Sequence, residues 1–200
     1  MTQSTTIPIS TEPEEHWKAP SRGMVAMWCL ITAEAAIFLI FVVAYVFYIG
    51  KSLNGPYPGD VLELPILGTI CLLSSSITVH FATKALHKGN VRGCTLGLAA
   101  TVLLGAIFLW TTATEWRHLI YDEGLTIKTN LFGTTYYSLV GLHASHVIVG
   151  LILLSTTLLF GLAGRVTVVH AERLEVISLY WHFVDAVWIV VFTVVYVLGR

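Results

Sequence analysis

The chain has 200 residues, of which 56% are hydrophobic and 12% charged, and its formal net charge is -1. That balance excludes an ordinary soluble globular domain and places the chain among integral membrane proteins. Scattered basic residues and a near-zero net charge exclude a nucleic-acid surface and point to no charge-driven partner.

Residues 1–23 form a polar, acidic tail that contains TEPEEHWKAP. It lacks the short apolar core and small-residue cleavage site of a signal peptide, and reads as a mobile or surface-lying extension ahead of one membrane domain, residues 24–200. A spanning helix needs about 20 mostly apolar residues, and five segments qualify, at roughly 24–49, 63–86, 92–114, 132–160 and 174–198. The joints between them carry turn and breaker chemistry: GKSLNGPYPGD, HKGNVRG, RHLIYDEGLTIKTN and GLAGRVTVVHAER. No internal repeat is visible, which disfavours an inverted-repeat transporter. The expected fold is all-α, an integral membrane protein of five transmembrane helices.

Orientation follows from the basic residues. Lys18, Arg22, Lys84, Lys88, Arg92, Arg165 and Arg173 fall on one side, and Lys51, Arg117, Lys128 and Arg200 on the other. The excess places the N-terminus in the cytoplasm and the C-terminus outside. Cys29, Cys71 and Cys94 lie within or beside apolar stretches without a C-x-x-C pair. They read as small packed hydrophobes rather than as disulfide or metal-site residues.

The polar residues inside the spans carry the remaining information. Glu34 lies some ten residues into the first span, ~15 Å at the helical rise. A charged side chain at that depth costs on the order of 2.5–3.5 kcal/mol on an insertion scale, so the carboxyl is expected to be neutral, paired, or facing protein or water. The second span holds LLSSSITVH, with Ser74, Ser75, Ser76, Thr78 and His80, whose hydroxyls can bond their own backbone or a neighbouring helix. The third ends in TTATEWRH, which sets Glu115 and Trp116 at the outer interface.

In the fourth span GLHASH holds His143 and His146, and in the fifth YWHFVDAVW holds Trp181, His182, Asp185 and Trp188. Each polar pair is three residues apart and so shares a helix face. Gly141, Ala144 and Ser145 on one helix and Ala186 on the other permit close approach, which predicts a polar seam between the fourth and fifth spans, with Asp185 paired to a fourth-span histidine. Two readings stay open: the histidines as haem or metal ligands, or as an interhelical hydrogen-bond network. Glu34 is open between a proton relay and a structural hydrogen bond. No nucleophile, phosphate cradle or paired-carboxylate site is present, so no catalytic residue and no metal ligand is assigned.

In order along the chain after about residue 23, these segments resemble subunit III of the haem–copper terminal oxidases, found in cytochrome c oxidase and its quinol-oxidising relatives. AEAAIFLIFVVAYVFY resembles the family's helix with a buried glutamate, which places Glu34 on that acid. ELPILGTICLLSSSIT, ATEWR and FGTTYYSLVGLHASHVIVG resemble its Pro-Leu and small-hydroxyl helix, its Glu-aromatic exit, and its aromatic pair before Gly-x-His-x-x-His. ERLEVISLYWHFVDAVWIVVF carries the most specific signature, Y-W-H-F-V-D-x-V-W, with Glu175 seven residues before His182. The chain differs at Gly68, Thr112 and Ala144, where the family commonly has Asn, Gln and Gly. Larger members have seven spans, and this chain looks like the short bacterial form with five.

The resemblance implies an accessory subunit of a proton-pumping oxidase in the bacterial inner (plasma) membrane. It implies no cofactor on this chain, haem and copper in partner subunits, and bound phospholipid. Its partners would be the catalytic subunit I and subunit II, with a respiratory supercomplex open to it. It implies that Glu34 is a buried acid near the route of protons or oxygen. His143, His146, Glu175, Trp181, His182 and Asp185 would form a structural and lipid-facing network. Quinol oxidase and the accessory subunit encoded with nitric oxide reductases share the plan. From other classes come a haem-binding membrane subunit using His143, His146 and His182, and a small proton carrier centred on Glu34.

Overall fold

The structure is a computed structural model and describes residues 21–199. The predicted tail up to residue 20, together with Lys18 and Arg200 of the charge count, lies outside the described residues. Helix α1 is Arg22–Tyr48, α2 a single turn at Pro58–Val61, α3 Ile66–His87, α4 Val91–Tyr121, α5 Leu131–Leu162 and α6 Ala171–Phe192. A 3-10 turn at Val168–His170 leads into α6, and α6 continues as a π-helical stretch, Thr193–Leu198. Helices α1, α3, α4 and α5, and the segment Val168–Leu198 that contains α6, are each long and apolar enough to cross a membrane.

The ends follow local chemistry. Ser21, Asn90 and Asn130 cap α1, α4 and α5, accepting from the amides of Met24, Gly93 and Gly133 at 3.2, 2.9 and 2.8 Å. After α1, α3, α4 and α5 the chain turns through Gly50, Gly89, Gly124 and Gly164, with φ of 71°, 76°, 66° and 67°. Only glycine adopts that left-handed conformation without a Cβ penalty, and it lets the chain reverse directly after each helix. Asn130 also donates from Nδ2 to the carbonyls of Asn54 and Pro56 at 2.9 and 3.0 Å, which ties the first loop to the third at the same end of the bundle.

Helix α4 runs to Tyr121, beyond the predicted end near residue 114. Charged and polar residues there break the hydropathy signal, yet the helix continues because Leu119 faces inward and is fully buried. Helices α3 and α4 pack along their lengths, α4 meets α5, α6 touches α1, α3 and α5, and α1 packs only on α5 and on α6 with its continuation among the main helix contacts. Helix α1 therefore sits at the edge, and most of its surface is left outside the bundle.

Small residues set the closest approaches, as expected where hydrocarbon supplies no hydrophobic drive between helices. Of the four that the sequence suggests, Ser145 and Ala186 are exposed, and a Cβ at Gly141 would lie 3.4 Å from the Trp116 ring of α4; the tightest contacts are made elsewhere. A Cβ at Gly97 would meet that of Ala82 at 2.8 Å, which brings α4 onto α3. A Cβ at Gly105 or Gly150 would come within 3.0 or 2.7 Å of the Trp181 ring, so the indole is wedged between α4 and α5. Its Nε1 donates to Ser75 Oγ of α3 at 2.8 Å. One side chain of α6 thus touches three helices.

Gly150→Val drives atoms into a ring that cannot withdraw, and is expected to cost about 1–3 kcal/mol, the usual penalty for overpacking. Thermal unfolding of the purified chain in mild detergent should register the loss, and Ser145→Val, on the exposed face of the same helix, should not.

Candidate functional site: a divided intramembrane polar network

The polar residues within the spans form separate sets. The largest joins α6 to α3. Trp181, Asp185 and Trp188 recur on α6 at steps of four and three and are all buried, and each bonds a hydroxyl of α3. Trp181 bonds Ser75, Trp188 Nε1 donates to Thr69 Oγ1 at 3.1 Å, and Ser76 Oγ donates to Asp185 Oδ2. His182 Nδ1 lies 2.9 Å from the same Ser76 oxygen, and its Nε2 lies 3.3 Å from Ser178 Oγ. The seam expected between the fourth and fifth spans lies instead between the second and fifth, α3 and α6. The physical reason is the Trp181 wedge: it fills the α5 side of α6 with an indole and turns His182 and Asp185 toward the serines.

The fourth-span histidines separate although they are three residues apart. His143 is fully buried. It stacks on Trp188 with centroids 5.0 Å apart and meets Phe108 edge-on at 5.8 Å. Neither of its nitrogens has a hydrogen-bond partner, so the expected bond from Asp185 to a histidine of this helix is not made. His146 turns toward α1, and its Nε2 lies 3.1 Å from Glu34 Oε2 while Nδ1 bonds the Leu142 carbonyl at 2.8 Å. The side chains of His146 and Glu34 are 13% and 24% exposed. They open into a groove of about 280 Å³ on the outer surface of α1 and α5, with Met27, Leu30 and Tyr180 beside them.

Glu115 turns inward from the end of α4. It accepts from the hydroxyls of Tyr136 and Tyr196 at 3.0 and 2.8 Å, which joins α4, α5 and the π-helical stretch. Trp116 beside it packs edge-on to Tyr137 with centroids 5.3 Å apart. At the opposite end of the bundle Glu175 Oε1 lies 2.7 Å from His87 Nε2. Among the described residues no group of three or more His, Cys, Asp and Glu is placed to hold a metal ion.

Sequence reasoning placed Glu34, Glu115 and the α6 stripe in apolar spans, and each lies in a segment long and apolar enough to cross a membrane. It missed Ser76 as the shared partner of His182 and Asp185, His87 as that of Glu175, and the two tyrosines on Glu115. Ser76 and His80 four residues on, facing the same way, were the available signal. The two tyrosines left none, because Tyr196 comes from the far end of the chain.

The model of the family described as cytochrome c oxidase subunit III matches residues 10–200. Curated relatives agree. The chain is 32% identical over 193 residues to cytochrome c oxidase subunit 3 of Alkalihalophilus pseudofirmus, covering 96% of this chain and 94% of that one. To cytochrome bo(3) ubiquinol oxidase subunit 3 of Pseudomonas aeruginosa it is 34% identical over 174 residues, 86% and 83% of the two chains. To quinol oxidase subunit 3 of Bacillus subtilis it is 29% identical over 193 residues, 95% and 94%.

His146→Phe removes the partner of Glu34 and is expected to destabilise the purified chain by about 1–3 kcal/mol, the cost of an orphaned polar group. Glu34→Gln retains a hydrogen-bonding group at the same place and should stay near the wild type. Thermal unfolding of both in the same detergent checks this.

Proposed function

This chain belongs to the cytochrome c oxidase subunit III family, and on that premise we propose that it is the accessory, cofactor-free subunit of a proton-pumping oxidase of the cytochrome c type. It is a multi-pass protein of the bacterial plasma membrane and a subunit III of a haem–copper oxidase. The full-length match to relatives named for such oxidases carries the reading. In it the chain packs on subunit I, with subunit II nearby, and leaves haem, copper and oxygen reduction to them.

The state of the histidines supports this more than the haem-binding alternative. The nitrogens of His143 are enclosed within the bundle, and both nitrogens of His146 and His182 are already bonded. A haem iron would have to displace one of these arrangements. For subunit I we assign the exposed edge of α1, where the Glu34–His146 pair reaches the surface. A polar pair at that depth is tolerable if a protein neighbour covers it. This is the position from which Glu34 would sit near a proton or oxygen route.

Retention of phospholipid, a feature of the family, is supported by a cleft of about 430 Å³ beside the α5–α6 connection. Leu86, Leu153 and Phe160 line it, and Arg165 and Arg173 provide cations for a headgroup phosphate. The second reading, a quinol oxidase subunit, is supported by the relatives of that type.

A tagged chain extracted in mild detergent should bring down a partner with haem absorption, and the isolated chain should be colourless. Recovery of the chain alone would overturn the accessory role. The purified complex should oxidise reduced cytochrome c, and preference for a quinol would move it to the second reading.

Orientation is proposed on the basic residues: the end with Lys88, Arg92, Arg165 and Arg173 faces the cytoplasm. In a Cys29→Ser background, Lys128→Cys should react with an impermeant maleimide in intact spheroplasts. Lys88→Cys should react only after the membrane is opened.

A further inference from the structure

Two polar stripes face each other along the lower half of α3 and α6. On α3 they are Ser76, His80, Thr83 or Lys84, and His87, at steps of four and three, and on α6 they are Glu175, Ser178, His182 and Asp185. Hydrogen bonds tie them at both ends, His87 to Glu175 at the bundle end and Ser76 to His182 and Asp185 at mid-depth. Ten residues separate Glu175 from Asp185, ~15 Å along the helix. Between the tied ends lies an open cleft of about 450 Å³ that reaches His182 and Ser178. Above Asp185 the path closes on Trp188 and Leu72, both buried.

We propose that this column is a proton-exchange site: Asp185 takes up and releases a proton from the bundle end that carries the α3–α4 turn, through Ser178, His182 and Ser76. The geometry supplies each contact between protein groups along the path. His182 is held between two hydroxyls, Ser76 on Nδ1 and Ser178 on Nε2. An imidazole can accept a proton at one nitrogen while releasing that on the other.

Starting from ionised Asp185, a hydronium ion reaching the cleft gives a proton to Ser178 and leaves neutral water, as the Ser178 hydroxyl proton passes to Nε2. The proton on Nδ1 passes to Ser76, and that of Ser76 to Oδ2. One proton enters, Asp185 becomes neutral, and His182 ends as the other tautomer. Release reverses each step and restores the starting tautomer.

The titratable groups around the column are His80, Lys84 and His87 from α3 and Glu175 and His182 from α6. Helix α1 lines the cleft with apolar Met24 and Trp28, its Glu34 being engaged by His146 of α5. His143 of α5 stacks on Trp188, at the closed end. Asp185 Oδ1 is buried and without a partner, so the carboxyl is bound to the path by Oδ2 alone.

The test uses the full chain in lipid nanodiscs and infrared spectroscopy of the protonated-carboxyl stretch during a switch from H₂O to D₂O. The Asp185 band is identified by its loss in Asp185→Asn. Ser76→Ala and His182→Phe should slow its deuterium shift by roughly a hundredfold, the low end of what a positioned proton-transfer group contributes. Ser76→Thr, which keeps the hydroxyl, should restore the wild-type rate. His182→Phe leaves the Ser76–Asp185 bond in place and so reports on the relay even if Ser76→Ala fails to fold. Equal exchange rates in wild type and His182→Phe, or the absence of an Asp185 band at every pH where the chain is folded, would overturn the proposal.

Discussion

Hydrocarbon offers no partner to a hydrogen-bonding group, so each polar side chain inside the membrane must be closed within the protein or covered by another protein. In this bundle that constraint falls mainly on α6. Its buried stripe, Trp181, Asp185 and Trp188, bonds only to side-chain hydroxyls of α3: Ser75, Ser76 and Thr69. The same indole that donates to Ser75 is pressed against Gly105 and Gly150. Packing and hydrogen bonding are therefore one device. The glycines let the indole in, the indole sets the rotation of α6, and that rotation decides which helix receives Asp185.

The remaining polar sets sit away from that stripe. Glu115 gathers two tyrosines at one end of the bundle, and Glu175 holds His87 at the other. Glu34 and His146 satisfy each other at the margin, on the helix with the least of its surface inside the bundle. A pair open to a lateral groove at mid-depth suits an assembly in which a neighbouring subunit completes the enclosure. Membership of the subunit III family gives that neighbour its identity in the proposed function. The column between α3 and α6 differs in kind, because its cleft opens toward the end with the α3–α4 turn while its far end is shut by Trp188 and Leu72.

Much of this architecture could be read from residues in order. Five apolar stretches of sufficient length became five spanning helices, and the glycines and asparagines of the joints became left-handed turns and caps. The position of Glu34, Glu115 and Asp185 along their helices followed from counting residues. Pairing could not be read in the same way. Three-residue spacing put His143 and His146 within one turn, yet one stacks on Trp188 and the other reaches α1, because i and i+3 differ by some 60° around the axis at 3.6 residues per turn.

By itself the sequence determined the environment, the number of spans, the sites of reversal and the family, since composition, segment length, turn chemistry and ordered motifs are all local properties. Only the tertiary structure decided which polar group meets which. That outcome depends on how far each helix is rotated about its axis, and rotation is set by a few close approaches, Gly97 on Ala82 and Trp181 between Gly105 and Gly150. Such contacts join residues far apart in the chain, and a hydropathy pattern carries no record of them.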